Sequence, residues 1–501
     1  MTARWSGNGS KGTATAVSRN SMHLTLAEWA QATGGEILAG DPAMSVGGEC
    51  PGGLSIDSRT ISPGQWFIAL KGKAGRDGHE FLPSAINNGA AGVIVSSRDV
   101  YEPKVALSYP DLAALLVSDT TQALADAARA LLDKFHPFVI AITGSVGKTG
   151  VKENIAHIAS SRWPVLKNPH NWNTEIGLPL TIFEIAPIHR VAVLECASRG
   201  VGQIRHLSLI ARPDIAVVTS IGPGHLSEFG TIDNVAAAKW EILDGLKLDG
   251  MVVASGESPY SKEYAGGYDM TTFGTAATNS VHPRQISVGE VSTRCVMATP
   301  VGEFKTEIPG VSRADLLNAL CATACAINVR IKGDGDESLT LDEIADALRT
   351  LPSTPGRMEI IMRPSGIEVI FDAYNSNPVS LANALEALAA RETRSDGGGI
   401  SRRVAILGDM LELGEYEEDY HREAGRHVAD LPIDCLITVG KLAAVLRESA
   451  DECRGQTIEG AAYEATEQCV QELARWLRPG DLVLIKASRA LALERLLDED
   501  W

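Results

Sequence analysis

The chain has 501 residues, 45% of them hydrophobic and 22% charged, a globular make-up too long for one core; a length prior gives roughly three domains. A net charge of −18 excludes a general nucleic-acid binder, since phosphate backbones need clustered Lys and Arg, yet it leaves room for a local basic pocket. No apolar run approaches the roughly 20 residues that cross a bilayer, so no membrane insertion is expected.

Residues 1–23 open with "MTARWSGNGSKGTATAVSRNSM", small and polar without an apolar stretch, and read as a disordered tail and not an export signal. An N-terminal unit is expected over 24–134, where "HLTLAEWAQATGGEIL" reads as a helix and turn and "GAAGVIVSS" as the end of a βα unit. Proline interrupts the pattern at "DKFHP" and "LPSTPGR", which puts a central domain at 135–352 and a third at 353–501. The central stretch carries "FVIAIT", "RVAVLE", "DIAVVTSI" and "GMVVA"; the third carries "EVIFDA", "RVAILGD", "CLITVG" and "DLVLIKA". Each run precedes a helical pattern, so two doubly wound parallel sheets and an α/β class follow, the last domain being Rossmann-like. Residues 255–310 read as a small β-rich excursion, and "RSDGGGISRR" as a glycine-rich surface loop. The eight cysteines form no CxxC pair, and Cys321 and Cys325 read as buried thiols on an apolar helix. Reduced thiols and a cytoplasmic monomer are expected.

The stretch richest in chemistry is "AITGSVGKTG", a strand running into a glycine turn and then a helix. Amides of Gly144, Ser145, Val146, Gly147, Lys148 and Thr149 can face a phosphate, helped by the helix dipole. Lys148 would reach the outer phosphates of ATP, and the Thr149 hydroxyl would sit on Mg²⁺. The bland alternative is a βα turn that binds nothing. Gly144 and Gly147 enclose only two residues, and position 142, where the general phosphate loop wants glycine, is isoleucine.

This shortened loop resembles that of the Mur ligases and of folylpolyglutamate synthetase, ATP-dependent amide-forming ligases. Glu195 ends the strand in "RVAVLECAS", His225 follows another strand in "TSIGPGH", and Lys239 lies in "NVAAAKWEIL". Each alone could be a solvated carboxylate, a structural histidine or a surface lysine. The resemblance implies that Thr149, Glu195 and His225 bind magnesium, two ions in all. It also implies that Lys239 is carbamylated, which turns an ammonium into a carboxylate-like ligand for a hard cation. Lys148, Glu195, His225 and Lys239 are then the catalytic set.

The resemblance runs from about residue 24 to 497 and is greatest to the D-alanyl-D-alanine-adding branch of the family. In "SIDSRTISPGQWFIALKG" Ser58 and Arg59 would face a uridine diphosphate, although a β-turn with an exposed arginine reads equally well. In "NPHNWNTEIGLPLTIF" the segment resembles a substrate edge, with Asn171, Asn173 and Thr174 on it. Asn318 would lie on the adenine side and Arg357, in the hinge "PGRME", would reach the nucleotide phosphates. Asp372 would take the ribose hydroxyls, with Tyr374 and Asn375 beside the nucleotide. Departures from the family pattern occur at Gly150, usually Ser or Thr, at Ala314 and Asp315, and in "ECASRG", "TSIGPGH" and "KASR".

The implied reaction phosphorylates a carboxylate with ATP and lets an amine displace the phosphate, with a UDP-linked muramoyl tripeptide and D-alanyl-D-alanine as substrates. Two other readings stay open: a family paralogue joining a different acid and amine, and a non-catalytic nucleotide-binding regulatory protein.

Overall fold

The computed structural model describes residues 23–46, 53–72, 75–169, 171–289, 291–332, 337–391, 401–499 and 501. The expected tail up to residue 22, Cys50 and the glycine-rich stretch 394–400 lie outside the described residues. His23, placed at the end of that tail, is buried, and its carbonyl accepts from Lys134 Nζ at 3.0 Å. Two compact units result: Met1–Phe135 with Ile182–Pro187, and His136–Thr181 with Ile188–Trp501.

The first unit is built on five strands in the spatial order Glu36–Ala39, Ala113–Leu116, Gly92–Val95, Trp66–Ile68, Leu54–Ser55. Four run parallel, and Glu36–Ala39 pairs antiparallel with Ala113–Leu116 across a bulge between Ile37 and Ala39. The helix Leu26–Thr33 starts at a capping box in which Thr25 and Glu28 satisfy each other's backbone amides.

The second unit holds two large sheets. The first is wholly parallel, in the order Met270–Phe273, Met251–Ser255, Ile215–Val218, Phe138–Thr143, Val191–Glu195, Val165–Lys167. Its inner strands are buried on both faces, which is why they read as unbroken apolar runs and not as alternation. Strand Phe138–Thr143 is the first of this sheet in the chain and lies near its middle. Later strands are laid down on both sides of it, so a crevice opens at the carboxyl ends of its neighbours. The helix Arg313–Ala326 packs its apolar face into this core, with Cys321 and Cys325 fully buried as free thiols. The β-rich excursion is a three-stranded antiparallel sheet of His282–Val288, Ser292–Thr299 and Gly302–Pro309.

The last sheet runs Glu359–Met362, Glu368–Phe371, Asp481–Lys486, Arg402–Gly408, Cys435–Val439, Ala462–Tyr463. It corrects the expectation of a purely parallel sheet: Glu359–Met362 pairs antiparallel with Glu368–Phe371. The two are joined by residues 363–367, too short for the crossover that parallel strands require. Separate apolar clusters cover its two faces.

Candidate active site

The glycine turn is shaped by close approach. Gly144 has φ +145° and a Cβ there would stand 2.1 Å from Thr219 Oγ1; Gly147, at φ +88°, caps helix Lys148–Ser160, and its Cβ would stand 2.8 Å from Asn318 Oδ1. A Cβ at Gly150 would meet Asn318 Nδ2 at 2.6 Å. The unexpected glycine therefore leaves space for the Asn318 amide, which lies over the loop itself. The turn is also tied to the loop after strand Ile215–Val218. The Ser145 amide donates to Ser220 O and the Val146 amide to Ser220 Oγ, each at 2.9 Å, and Ser145 Oγ donates to Gly222 O at 2.9 Å. Two of the six amides expected to face a phosphate are thus used inside the protein. Donors remain at the helix start, where the first-turn amides have no intrahelical partner. Lys148 folds back, its Nζ donating to Gly144 O at 2.6 Å. Burial pushes its amine down to about 8, opposed by Glu195 and reinforced by Arg357.

Glu195 is 2% exposed and is the hub of the site. Its Oε2 accepts from Thr149 Oγ1 at 3.0 Å and its Oε1 from Asn173 Nδ2 at 2.8 Å. Lys152, also buried, stands 3.8 Å from Oε2 and donates to Asn168 O at 2.9 Å. Asn168 Oδ1 in turn accepts the Glu195 amide at 2.6 Å. Sequence reasoning missed Lys152 and Asn168. The available signal was the four-residue step from Lys148 to Lys152, which puts both on one helix face. Asn171 and Thr174 are exposed, and Thr174 serves helix Gly177–Ile182, its carbonyl accepting from Leu178 N at 2.9 Å.

Lys239 is 2% exposed, with Nζ donating to Ser198 Oγ at 2.9 Å and lying 5.5 Å from the centre of the Phe229 ring. Burial first, and Lys148 second, push its amine down to about 7. His225 has a left-handed backbone, φ +55°. Burial lowers its pKa, Glu412 pulls the other way, and Lys239 and Lys148 add to the lowering. Lys148, Glu195, His225, Lys239 and Arg357 therefore share one electrostatic field. Among the described residues no three His, Cys, Asp or Glu side chains gather as a metal-holding group. Thr149 and Glu195 meet at 3.0 Å, while His225 and Lys239 are linked to them through the charge of Lys148.

From the last sheet, the Arg357 guanidinium stacks over the Tyr374 ring at 4.3 Å, and Tyr374 N donates to Gly356 O at 3.2 Å. Asp372 is already engaged: buried Lys486 donates to its Oδ2 at 2.6 Å and to Asn375 O at 3.0 Å. The Asn375 side chain is exposed. Lys486, at the end of an apolar strand, was not foreseen as the partner of Asp372. In the other unit Ser58 is buried, its carbonyl accepting from Asn88 Nδ2 at 2.7 Å. Arg59 pairs with Asp57 at 2.6 Å and is largely exposed.

Three family models match in series: "Mur ligase family, catalytic domain" over residues 52–131, "Mur ligase middle domain" over 142–326 and "Mur ligase, glutamate ligase domain" over 356–489. The UDP-N-acetylmuramoyl-tripeptide–D-alanyl-D-alanine ligase of Bacillus subtilis is 33% identical over 447 residues, 89% of this chain and 92% of that protein. The chain belongs to the Mur ligase family. Two solved structures agree with this assignment in shape. MurF from Acinetobacter baumannii has a TM-score of 0.82 at 27% identity, covering 95% of this chain and 98% of its own. MurF ligase from Thermotoga maritima, in complex with ADP, has 0.75 at 28% identity, covering 89% and 96%. This Mur ligase thus carries the family's N-terminal, central and C-terminal domains, the last on a mixed sheet.

Proposed function

We propose that this Mur ligase uses ATP to join D-alanyl-D-alanine to a UDP-N-acetylmuramoyl tripeptide, a step of peptidoglycan precursor synthesis. The observation that carries the reading is the buried Glu195, held by Thr149 of the phosphate turn and by Asn173 of the substrate edge. One carboxylate thereby links the segment that would hold phosphate to the segment that would hold the acid to be phosphorylated. Likeness to the Bacillus subtilis ligase over most of both chains supports the choice of substrates.

A carboxylate oxygen is a poor leaving group, so the acid must first take the γ-phosphate of ATP; the amine nitrogen then attacks the acyl phosphate and phosphate departs. The chain's part is to position and to neutralise charge. Amides at the start of helix Lys148–Ser160 and the Lys148 ammonium would hold the outer phosphate oxygens, Lys148 exchanging two loop carbonyls for them. Arg357, stiffened by stacking on Tyr374, would add charge from the C-terminal domain. Thr149 and Glu195 offer hard oxygens of the kind magnesium takes. Lys239 suits a carbamate because its buried amine, with a pKa of about 7, is substantially neutral near pH 7 and so able to capture carbon dioxide. His225 and that carbamate would hold a second ion. Magnesium, once held, would offset the negative charge of the phosphates.

We assign 24–134 to substrate binding, 135–352 to ATP and 353–501 to closing the site, with Ser58 and Arg59 as candidates toward the uridine diphosphate. The expected location is the cytoplasm, where ATP is available. No helix of the described residues is long and apolar enough to cross a membrane.

The experiment is ATP-dependent phosphate release with a UDP-muramoyl tripeptide and D-alanyl-D-alanine, set against other amines. Amide product with D-alanyl-D-alanine, lost on Lys148→Ala by a factor of about 10²–10³ or more, is expected. Product only with another amine would favour a paralogue's substrate, and ATP binding without any amide would overturn the ligase.

A further inference from the structure

Glu412 stands in a loop that is fastened at nearly every residue. Asp409 Oδ1 accepts the Ala443 amide at 2.7 Å, the Met410 amide donates to His421 Nε2 at 3.0 Å, and the Leu411 amide to Ser488 Oγ at 2.9 Å. Glu412 itself has φ +66°, a region that side chains other than Gly, Asn and Asp rarely adopt. Gly414, at φ +64°, lets the loop come close: a Cβ there would stand 3.2 Å from Ser227 Cα. Ser227 N donates to Glu412 O at 3.3 Å.

The strained backbone aims the carboxylate at one target. Glu412 Oε2 is 2.5 Å from His225 Nδ1, a nitrogen that is buried, with the contact off the line of a good hydrogen bond. Its other oxygen is 3.9 Å from the exposed Arg199 guanidinium, a pair worth little by itself. His225 is left-handed too, so two constrained segments, one from each domain of this unit, meet through these side chains. A neutral imidazole has one N–H and one lone pair, and the acceptor at one nitrogen decides which is which.

We propose that Glu412 is a positioning residue for His225: its carboxylate, facing Nδ1, keeps the ring proton on that nitrogen and leaves the Nε2 lone pair as the metal ligand. This rests on the reading of His225 as a magnesium ligand. The metal site is then complete only while the C-terminal domain's loop is docked, which links nucleotide chemistry to the placement of that domain.

The test uses the full chain with Mn²⁺ and a non-hydrolysable ATP analogue, reading cation binding by electron paramagnetic resonance. Long-range ¹H–¹⁵N spectra read the His225 tautomer. Glu412→Gly accepts φ +66° without strain, so a merely structural role would leave binding intact and the fold at least as stable. We expect instead a roughly 10–100-fold weaker Mn²⁺ affinity and loss of the Nδ1–H tautomer. Glu412→Gln, which keeps an acceptor, should retain most of the binding. Glu412→Asn tolerates the same backbone but is one methylene too short, and serves if the glycine variant misfolds. Wild-type affinity and tautomer in Glu412→Gly would overturn the proposal. If His225→Ala also binds Mn²⁺ normally, the ligand reading of His225 fails; if only His225→Ala loses it, Glu412 alone is refuted.

Discussion

At the residue scale the two lysines flanking the site do opposite things with one property, a depressed basicity. Lys148 near 8 remains largely charged at neutral pH and can neutralise phosphate, whereas Lys239 near 7 divides between ammonium and free amine. Only a free amine can take up carbon dioxide, so carbamate at Lys239 should grow as pH rises through about 7 and level off above it. Lys239→Ala is expected to lose ligation and to regain part of it with acetate or formate, which can stand in for the proposed carbamate. Full turnover without added acid would remove Lys239 from the site. Lys148 was legible because spacing alone marks a phosphate turn. Lys152 was not, because a buried lysine on a helix looks in sequence like any solvated one. Asp372 was expected to take the ribose hydroxyls, and Lys486, 114 positions further along the chain, occupies one of its oxygens. Only the parallel neighbourhood of Glu368–Phe371 and Asp481–Lys486 brings those two together.

At the element scale the apolar strands and their order of βα units could be read directly, since buried parallel strands are continuous hydrophobic runs. The antiparallel edges could not all be read. A five-residue link between Glu359–Met362 and Glu368–Phe371 was a usable sign of a hairpin, but the pairing of Glu36–Ala39 with Ala113–Leu116 is non-local and leaves no trace in a single chain. Helix Glu417–Asp430 carries a histidine whose part is structural, since His421 accepts the Met410 amide and has its other nitrogen 2.6 Å from Glu417 O. Burial lowers its pKa from 6.5, with Glu417 and Asp409 opposing. The unfolded chain therefore binds the proton more readily, and this part of the stability is lost as pH falls below about 6.5 through the folded value. His421→Gln should cost about 1 kcal/mol at pH 7.5 through a weaker bond to Met410, yet narrow the gap between urea midpoints at pH 7.5 and 5.5. An unchanged gap would place the acid sensitivity elsewhere.

At the scale of the whole molecule, the second unit joins a parallel-sheet domain to a mixed-sheet domain, and one of their joints lies beside the candidate site. Leu226, Phe229, Val235 and Ala238 form a small apolar cluster, and Tyr420 of the C-terminal domain packs against it. The same short helices carry His225 at one end and Lys239 at the other. Tyr420→Ala removes a half-buried ring worth about 1–2 kcal/mol of contact. Tyr420 packs against the C-terminal core as well, so the loss divides between that core and docking, and kcat/KM should drop by up to about tenfold while far-ultraviolet circular dichroism stays unchanged. An unaltered kcat/KM would mean that other contacts hold the two domains. The order of three family domains could be read from motifs strung along the chain, but this joint could not, since its residues lie some 190 positions apart and nothing in a single sequence pairs them.

The hold of Ser220 on the phosphate turn reaches furthest. By taking two amides of that turn, it makes folding, and not ATP, do the work of ordering the loop. Nucleotide then arrives at a cradle already rigid, and binding energy that would have gone into stiffening it stays available for the reacting phosphate. A serine with no part in the chemistry would thus help determine how firmly the enzyme grips its fuel.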